Sequence, residues 1–202
     1  MRFGADPGGK KAFGVAVLED DGSYRTSIVS SVDEALAWFK GSPRGVGIDA
    51  PMWWSSGSGG DRKADQFIRR TYGVRSGTVQ AANSLKGAVL IQGIMLALRL
   101  RERWPSLPVS ETHPKALCKA HGWTAWETVA ELFGLEGRPA TEHERDALLS
   151  AVAIREGIEG RWALNLALER LPGEQDPQTV PHGPLTYYWP EKPAHSSSDK
   201  II

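Results

Sequence analysis

Cysteine is almost missing from this chain: Cys118 stands alone in 202 residues. A single thiol excludes an internal disulfide and fits a reducing, cytoplasmic compartment. Long hydrophobic runs are missing too. The longest, Ala88 to Leu98, is interrupted by Gln92 and Gly93 and is too short to cross a bilayer. There is no excess charge of either sign, since 24 Lys and Arg balance 24 Asp and Glu. That removes a global field for nucleic acid or anionic membrane, yet leaves room for a local basic cleft. No internal repeat is found, and the N-terminus enters a β-pattern with no apolar leader ahead of it. What remains is ordinary globular composition, 41% hydrophobic and 24% charged, expected to form one large domain.

The first organised stretch is Arg2 to Leu18, RFGADPGGKKAFGVAVL. Two apolar runs joined by a Pro/Gly turn predict a β-hairpin with Asp6 at its mouth. Tyr24 to Ser30 adds a third strand, giving an antiparallel meander. Asp33 to Lys40 has a short helical pattern. Gly45 to Met52 then forms an apolar strand ending in Asp49, and a strand reached through a helix invites parallel pairing with the first. Helical patterns follow at Asp61 to Thr71, at Ser84 to Arg103 with Asn83 or Ser84 as N-cap, at Lys115 to His121 and at Trp126 to Phe133. The second of these is apolar on nearly every side, which predicts burial against the sheet. Between them Val109 to Glu111 reads as a strand. Thr141 to Gly157 is the last strong helix, and Thr141 with Glu144 forms a capping-box pattern. Glu142, His143 and Asp146 share a face expected to point away from the core. Residues 1–171 are therefore expected as the domain, with a helical insertion around 53–104. Residues 172–202 read as a Pro/Ser-rich tail whose Tyr187, Tyr188 and Trp189 can pack back.

Inside this neutral chain the segment from Arg62 to Lys86 carries six basic residues and one acid, Asp65. An i,i+4 pair between Asp65 and Arg69 on a solvated face explains part of it. Arg69, Arg75 and Lys86 are the candidates to grip phosphates, with Lys10 on the glycine turn and Trp53 as a stacking platform. Each has an ordinary alternative: Lys10 as a solvated turn residue, and Trp53 and Trp54 as packing. His113 is a proton shuttle or a structural histidine before Pro114. Cys118 has no partner at a spacing that would activate it and reads as core filler.

Four carboxylates end separate elements: Asp6, Asp49 and Glu111 on strands and Asp146 in the last helix. Open α/β sheets place ligands at the carboxyl ends of their strands. Acids gathered there repel unless a cation neutralises them, and oxygen ligands with few histidines suit Mg²⁺ or Mn²⁺. Two such ions about 3.5–4 Å apart would clamp the attacking and leaving oxygens of a phosphodiester displacement. Glu111 is equally readable as an acid capping the next turn.

The motifs GADPGG, VGIDAP, RKADQFIR, NSLKGAVLIQG, SETHPKAL and ERDALLSA, from about Arg2 to Trp162, resemble those of the domain of unknown function 429 family, described as predicted nucleases of RNase H fold. The resemblance implies an RNase H-like three-layer fold with a mixed five-stranded sheet of order 3-2-1-4-5, strand 2 antiparallel, and helices on both faces. It implies Asp6, Asp49 and Asp146 as metal ligands, Glu111 as a further catalytic acid, and nucleic acid as substrate. Many relatives of that fold carry a second acid near the last-helix one, and here Glu142 and Glu144 are the nearby candidates. Two other classes fit the same pattern. An actin-like or sugar-kinase-like enzyme of ATP or another small phosphoester shares the strand order, although such enzymes usually need a second domain and phosphate loop. A non-catalytic binding protein would keep the fold and lose turnover.

Overall fold

The N-terminal runs fold as the meander that their apolar stretches and turns predict. β1 (Arg2–Asp6), β2 (Phe13–Leu18) and β3 (Tyr24–Val29) pair antiparallel in sequence, with Asp6 opposite Gly14 and Phe13 opposite Val29. Ser31 caps α1 (Val32–Trp38) by accepting from the Glu34 amide. β4 (Val46–Ile48) returns parallel to β1. The long segment that follows holds α2 (Lys63–Tyr72) and α3 (Gly87–Arg103), and then β5 (Val109–Glu111) pairs parallel with β4. Next come α4 (Pro114–His121), α5 (Trp126–Phe133) and α6 (Glu142–Ile158). Three two-residue strands close the chain: β6 (Leu164–Asn165), β7 (Leu185–Thr186) and β8 (Tyr188–Trp189). The computed structural model describes residues 1–191, and the last part of the expected tail, 192–202, lies outside the described residues.

The sheet has six strands, not five, in the order β3-β2-β1-β4-β5-β7. The sixth comes from the region read as tail, where Leu185 and Thr186 pair parallel with Val109 and Ser110. Two residues are too few to show alternation, so polar composition concealed the strand. Tyr187 and Trp189 are buried, as the packing-back expectation requires. The same region is fastened elsewhere: Glu174 accepts from the Trp53 indole and the Lys63 amide, and His182 Nε2 lies 2.7 Å from the Met52 carbonyl.

Helices cover both faces of the sheet. On one, the Phe3 ring stacks on Phe39 at 4.3 Å and meets Trp104 edge-on, while Gly93 brings α3 against Ala50. On the other, α6 lies on the strand backbones. A Cβ on Gly4, Gly14 or Gly47 would stand 1.9–2.0 Å from the carbonyl oxygens of Ala147, His143 and Ser150 respectively. No side chain fits there, and this contact carries the N-terminal half of α6 to the carboxyl ends of β1 and β4. Gly47→Ala is therefore expected to cost about 3 kcal/mol or more, because the obstacle is helix backbone and not a side chain that can turn aside. Urea unfolding measures it, and a loss below about 1 kcal/mol would mean that the helix can lift off freely.

Two helix expectations are corrected. α3 is not buried all round: Gly93, Leu96, Ala97 and Leu100 face inward, while Ile91, Met95 and Leu98 are exposed. A helix laid on one face of a sheet covers only one stripe. Nor does α3 start at Ser84. Residues 82–84 form a separate 3₁₀ turn whose Ser84 hydroxyl donates to the Ala81 carbonyl, and Lys86 is the N-cap. Among the described residues, no helix is long and apolar enough to cross a membrane.

Candidate active site

β1, β4 and β5 run parallel and end at one edge of the sheet, so the acids that close them are brought together. The Asp49 amide bonds the Ala5 carbonyl at 2.8 Å and the Thr112 amide bonds the Ile48 carbonyl at 2.9 Å, which extends the ladder to the edge. Asp6, Asp49 and Glu111 line a pocket of about 320 Å³, whose lining also includes Gly77, Thr78, Gln80 and Leu85.

Asp6 is mostly buried, and its Oδ2 lies 2.6 Å from His143 Nδ1. Burial pushes its carboxyl up to about 6, the nearby Asp146 charge adds to the rise, and the His143 bond opposes it. Asp49 is partly exposed to the pocket and held well above the usual carboxylate range, first by desolvation and then by the charges of Asp6 and Asp146. Asp146 is 1% exposed. Its Oδ1 accepts from Arg145 at 3.1 Å, and its buried Oδ2 has no hydrogen-bond partner among the described residues, with Lys115 Nζ 3.8 Å away. Desolvation raises its carboxyl, against the pull of Arg145 and Lys115. The expectation that Asp146 faces away from the core is thus corrected: α6 lies flat on the sheet, and its polar N-terminal face covers the strand ends. Thr141 caps the helix by accepting from the Glu144 amide, and its hydroxyl donates to the Glu144 carboxylate at 2.9 Å.

Glu111 sits in a different setting. Arg62 donates to both its oxygens at 2.7 Å, and the Met52 amide donates to Oε2 at 2.8 Å. The same guanidinium binds Asp65 at 2.9 and 3.0 Å and lies 4.2 Å from the Trp53 ring centroid. Burial alone would raise Asp65, but the Arg62 charge and hydrogen bonds hold it below its ordinary value. Glu111 remains raised, because its desolvation outweighs Arg62. His113, beside this network, is pushed down to about 4 by burial and is a neutral imidazole at pH 7, which is poor ground for a proton shuttle.

The sequence model of a family described as "Protein of unknown function (DUF429)" matches residues 4–165. The chain belongs to that family. No curated protein and no solved structure matches it.

In this DUF429 chain the candidates for substrate contact are scattered. Trp53 is 3% exposed, with its indole bonded to Glu174 and its face under Arg62, so it is packing and not a platform. Arg69 is taken by Asp61 and by the Val79 carbonyl at 2.9 Å. The expected Asp65–Arg69 pair is therefore replaced by Arg62–Asp65 and Asp61–Arg69. Lys10, Arg75 and Lys86 are exposed and none lines the acidic pocket. The cationic and imidazole groups that do approach its acids, Lys115 beside Asp146 and His143 on Asp6, had weak signals in the sequence. Lys115 was one lysine in a short helix, and His143 one turn before Asp146 had no visible partner. The oxygen-only donor set of Asp6, Asp49 and Asp146, with the orphaned Asp146 Oδ2, fits a hard divalent cation in chemistry. As their side chains are placed, no three acids or imidazoles among the described residues converge on one ligation point.

Proposed function

We propose that the chain is a divalent-metal-dependent phosphodiester hydrolase of RNase H-like type, a nuclease with its centre at Asp6, Asp49 and Asp146. The observation that carries this reading is the unfavourable charge of the centre. Asp6 at the end of β1 and Asp49 just after β4 lie close enough to each other and to buried Asp146 of α6 to feel its charge, and both are raised by burial and by charged carboxylate neighbours. A fold keeps such a cluster where a cation relieves it. Mg²⁺ or Mn²⁺ bound there supplies Lewis acidity toward phosphoryl oxygens. Around it the chain's own groups have separate tasks. Lys115, 2.9 Å from Glu142 and 3.8 Å from Asp146 Oδ2, offers an ammonium to phosphate oxygens at the pocket mouth. His143 positions the Asp6 carboxylate through Nδ1, and Arg145 positions Asp146 through Oδ1. Arg62 pairs with Glu111 and Asp65, which fixes these three side chains in the pocket lining beside Asp6 and Asp49.

The test incubates the protein with Mn²⁺ or Mg²⁺ and single strands, duplexes, RNA–DNA hybrids and four-way junctions, beside an Asp49→Asn control. Cleavage that requires metal and falls to background in Asp49→Asn is the expected result. A parallel thermal scan is expected to show a metal-dependent rise in Tm at pH 8 that shrinks at pH 5, where protons compete for the acids. Absence of both cleavage and metal-dependent stabilisation would remove the hydrolase reading, and stabilisation by ATP instead would favour a kinase-like one.

A further inference from the structure

Beside the acidic pocket lies a larger cleft of about 550 Å³, between α4, α5 and the first turn of α6. Its charged walls are Lys115, Lys119, Arg138 and Arg145 with Glu142. Four cations line the cleft against one carboxylate, and with Asp146 and Glu127 pairing Arg145 and Arg138 from outside the lining a small local excess of positive charge remains in a chain of zero net charge. The carboxylate is already neutralised, since Glu142 pairs with Lys115 at 2.9 Å. Two of the cations are open to a ligand. Arg138 is exposed and its ion pair is a 3.7 Å contact with exposed Glu127, which solvent screens. Lys119 is exposed and reaches the Thr78 hydroxyl at 2.5 Å, in the lining of the acidic pocket.

The two cavities are joined by one wall. Lys115 and Lys119, four residues apart on α4 and so on one helix face, line both. A ligand that places one phosphate among the acids therefore meets ammonium groups as it leaves the pocket, and more positive charge beyond them. We propose that the cleft is a second phosphate subsite, and that the substrate is a single-stranded polynucleotide lying across α4. Its scissile phosphate occupies the acidic pocket and the neighbouring phosphate sits against Lys119 and Arg138. The proposal rests on the phosphodiester reading and narrows it. A pocket of about 320 Å³ is at the small end of ligand sites and takes about one nucleotide, which a flexible strand can insert and a base-paired one cannot. The cleft offers charge and not stacking. Trp126 is buried with its indole bonded to the Gly137 carbonyl, and Trp123 packs edge-on against Phe133. Recognition through phosphates alone is tolerant of sequence and steeply dependent on salt.

The experiment measures fluorescence anisotropy of 5′-fluorescein oligothymidylates and oligouridylates of one, two and six nucleotides with Ca²⁺ in place of Mg²⁺ or Mn²⁺, so that the acids are relieved, each oligonucleotide being checked intact after the titration. The wild-type chain is compared with a Lys119→Glu/Arg138→Glu double variant, whose fold is checked by circular dichroism and Tm. Affinity is expected to rise at least tenfold from one nucleotide to two. The double variant is expected to lose that gain, with a shallower salt dependence for the hexamer, and an Arg138→Glu single variant, whose side chain lines only the cleft, is expected to lose part of the gain while keeping wild-type affinity for the mononucleotide. Equal affinity for all lengths, or an unchanged hexamer affinity in the charge-reversed variant, overturns the subsite. Hydrolysis of bis(p-nitrophenyl) phosphate, too small to span both cavities, separates the two readings. Metal-dependent hydrolysis without length-dependent binding keeps the hydrolase and rejects the strand path. Length-dependent, Lys119/Arg138-dependent binding without hydrolysis of any phosphodiester keeps the path and rejects the hydrolase.

Discussion

Arg62→Ala is expected to destabilise the protein by about 3–5 kcal/mol at pH 7.5, the range found when one partner of a buried ion pair is removed. The guanidinium is 2% exposed and answers two carboxylates at once, Glu111 through both oxygens and Asp65 through two hydrogen bonds, beside a third from the Arg62 backbone amide that the alanine keeps. Without it two acids remain buried with no cation, and the Trp53 ring loses the plane stacked on it. The pH dependence separates this cause from lost packing. In the variant both acids have folded pKa values raised above their unfolded ones, so the stability linked to protonation is present below about pH 4 and is lost as pH rises. The deficit should therefore shrink markedly between pH 7.5 and pH 5 in urea titrations. An Arg62→Met chain that also carries Asp65→Asn and Glu111→Gln should recover part of the loss, since it leaves no charge buried. A deficit of the same size at both pH values would show that Arg62 acts through its carbon chain.

The sequence made the scaffold legible wherever a local rule governs it. The apolar run Phe13 to Leu18, the glycine turn before it, the alternation in Tyr24 to Ser30 and the helix–strand passage to Asp49 predicted the meander and the parallel β1–β4 pair. Acids at strand ends are legible for the same reason, because a strand's end in a parallel sheet is also a position in space. Whether such an acid is free is not legible. Asp6 and Glu111 looked alike, yet the partner of Glu111 is 49 residues away in a segment read as phosphate-binding. Arg62 and the phosphate candidate Arg69 stood in the same basic segment, and both were taken by acids supplied by the fold. One missed signal was present: Gly4, Gly14 and Gly47 each interrupt an apolar strand on the same face. Small residues at such positions mark a close backbone approach, and reading them that way would have turned Asp146 and His143 inward.

Asp6→Asn should separate stability from function in opposite directions. The Asp6 carboxyl is raised from 3.8 to about 6 by burial and by the Asp146 charge. Stability linked to its protonation is fully present below about pH 4 and is lost as pH climbs through 6. Above that the ionised group costs the fold about 3 kcal/mol at roughly 1.4 kcal/mol per pKa unit. Asparagine cannot ionise and still offers His143 an oxygen acceptor, so in EDTA at pH 7.5 the variant should be the more stable by up to about 3 kcal/mol. At pH 4 the advantage should vanish. Mg²⁺ or Mn²⁺ should then raise the Tm of the wild type and leave that of the variant nearly unmoved, because the relief it brings has already been built in. Metal-dependent cleavage should fall to background in the same variant. The contrary result has an equally definite physical meaning. A less stable Asp6→Asn chain at pH 7.5 in chelator would show that His143 and Lys115 already neutralise Asp6, in which case the centre is balanced by the protein's own cations and the reason for placing a metal there is gone.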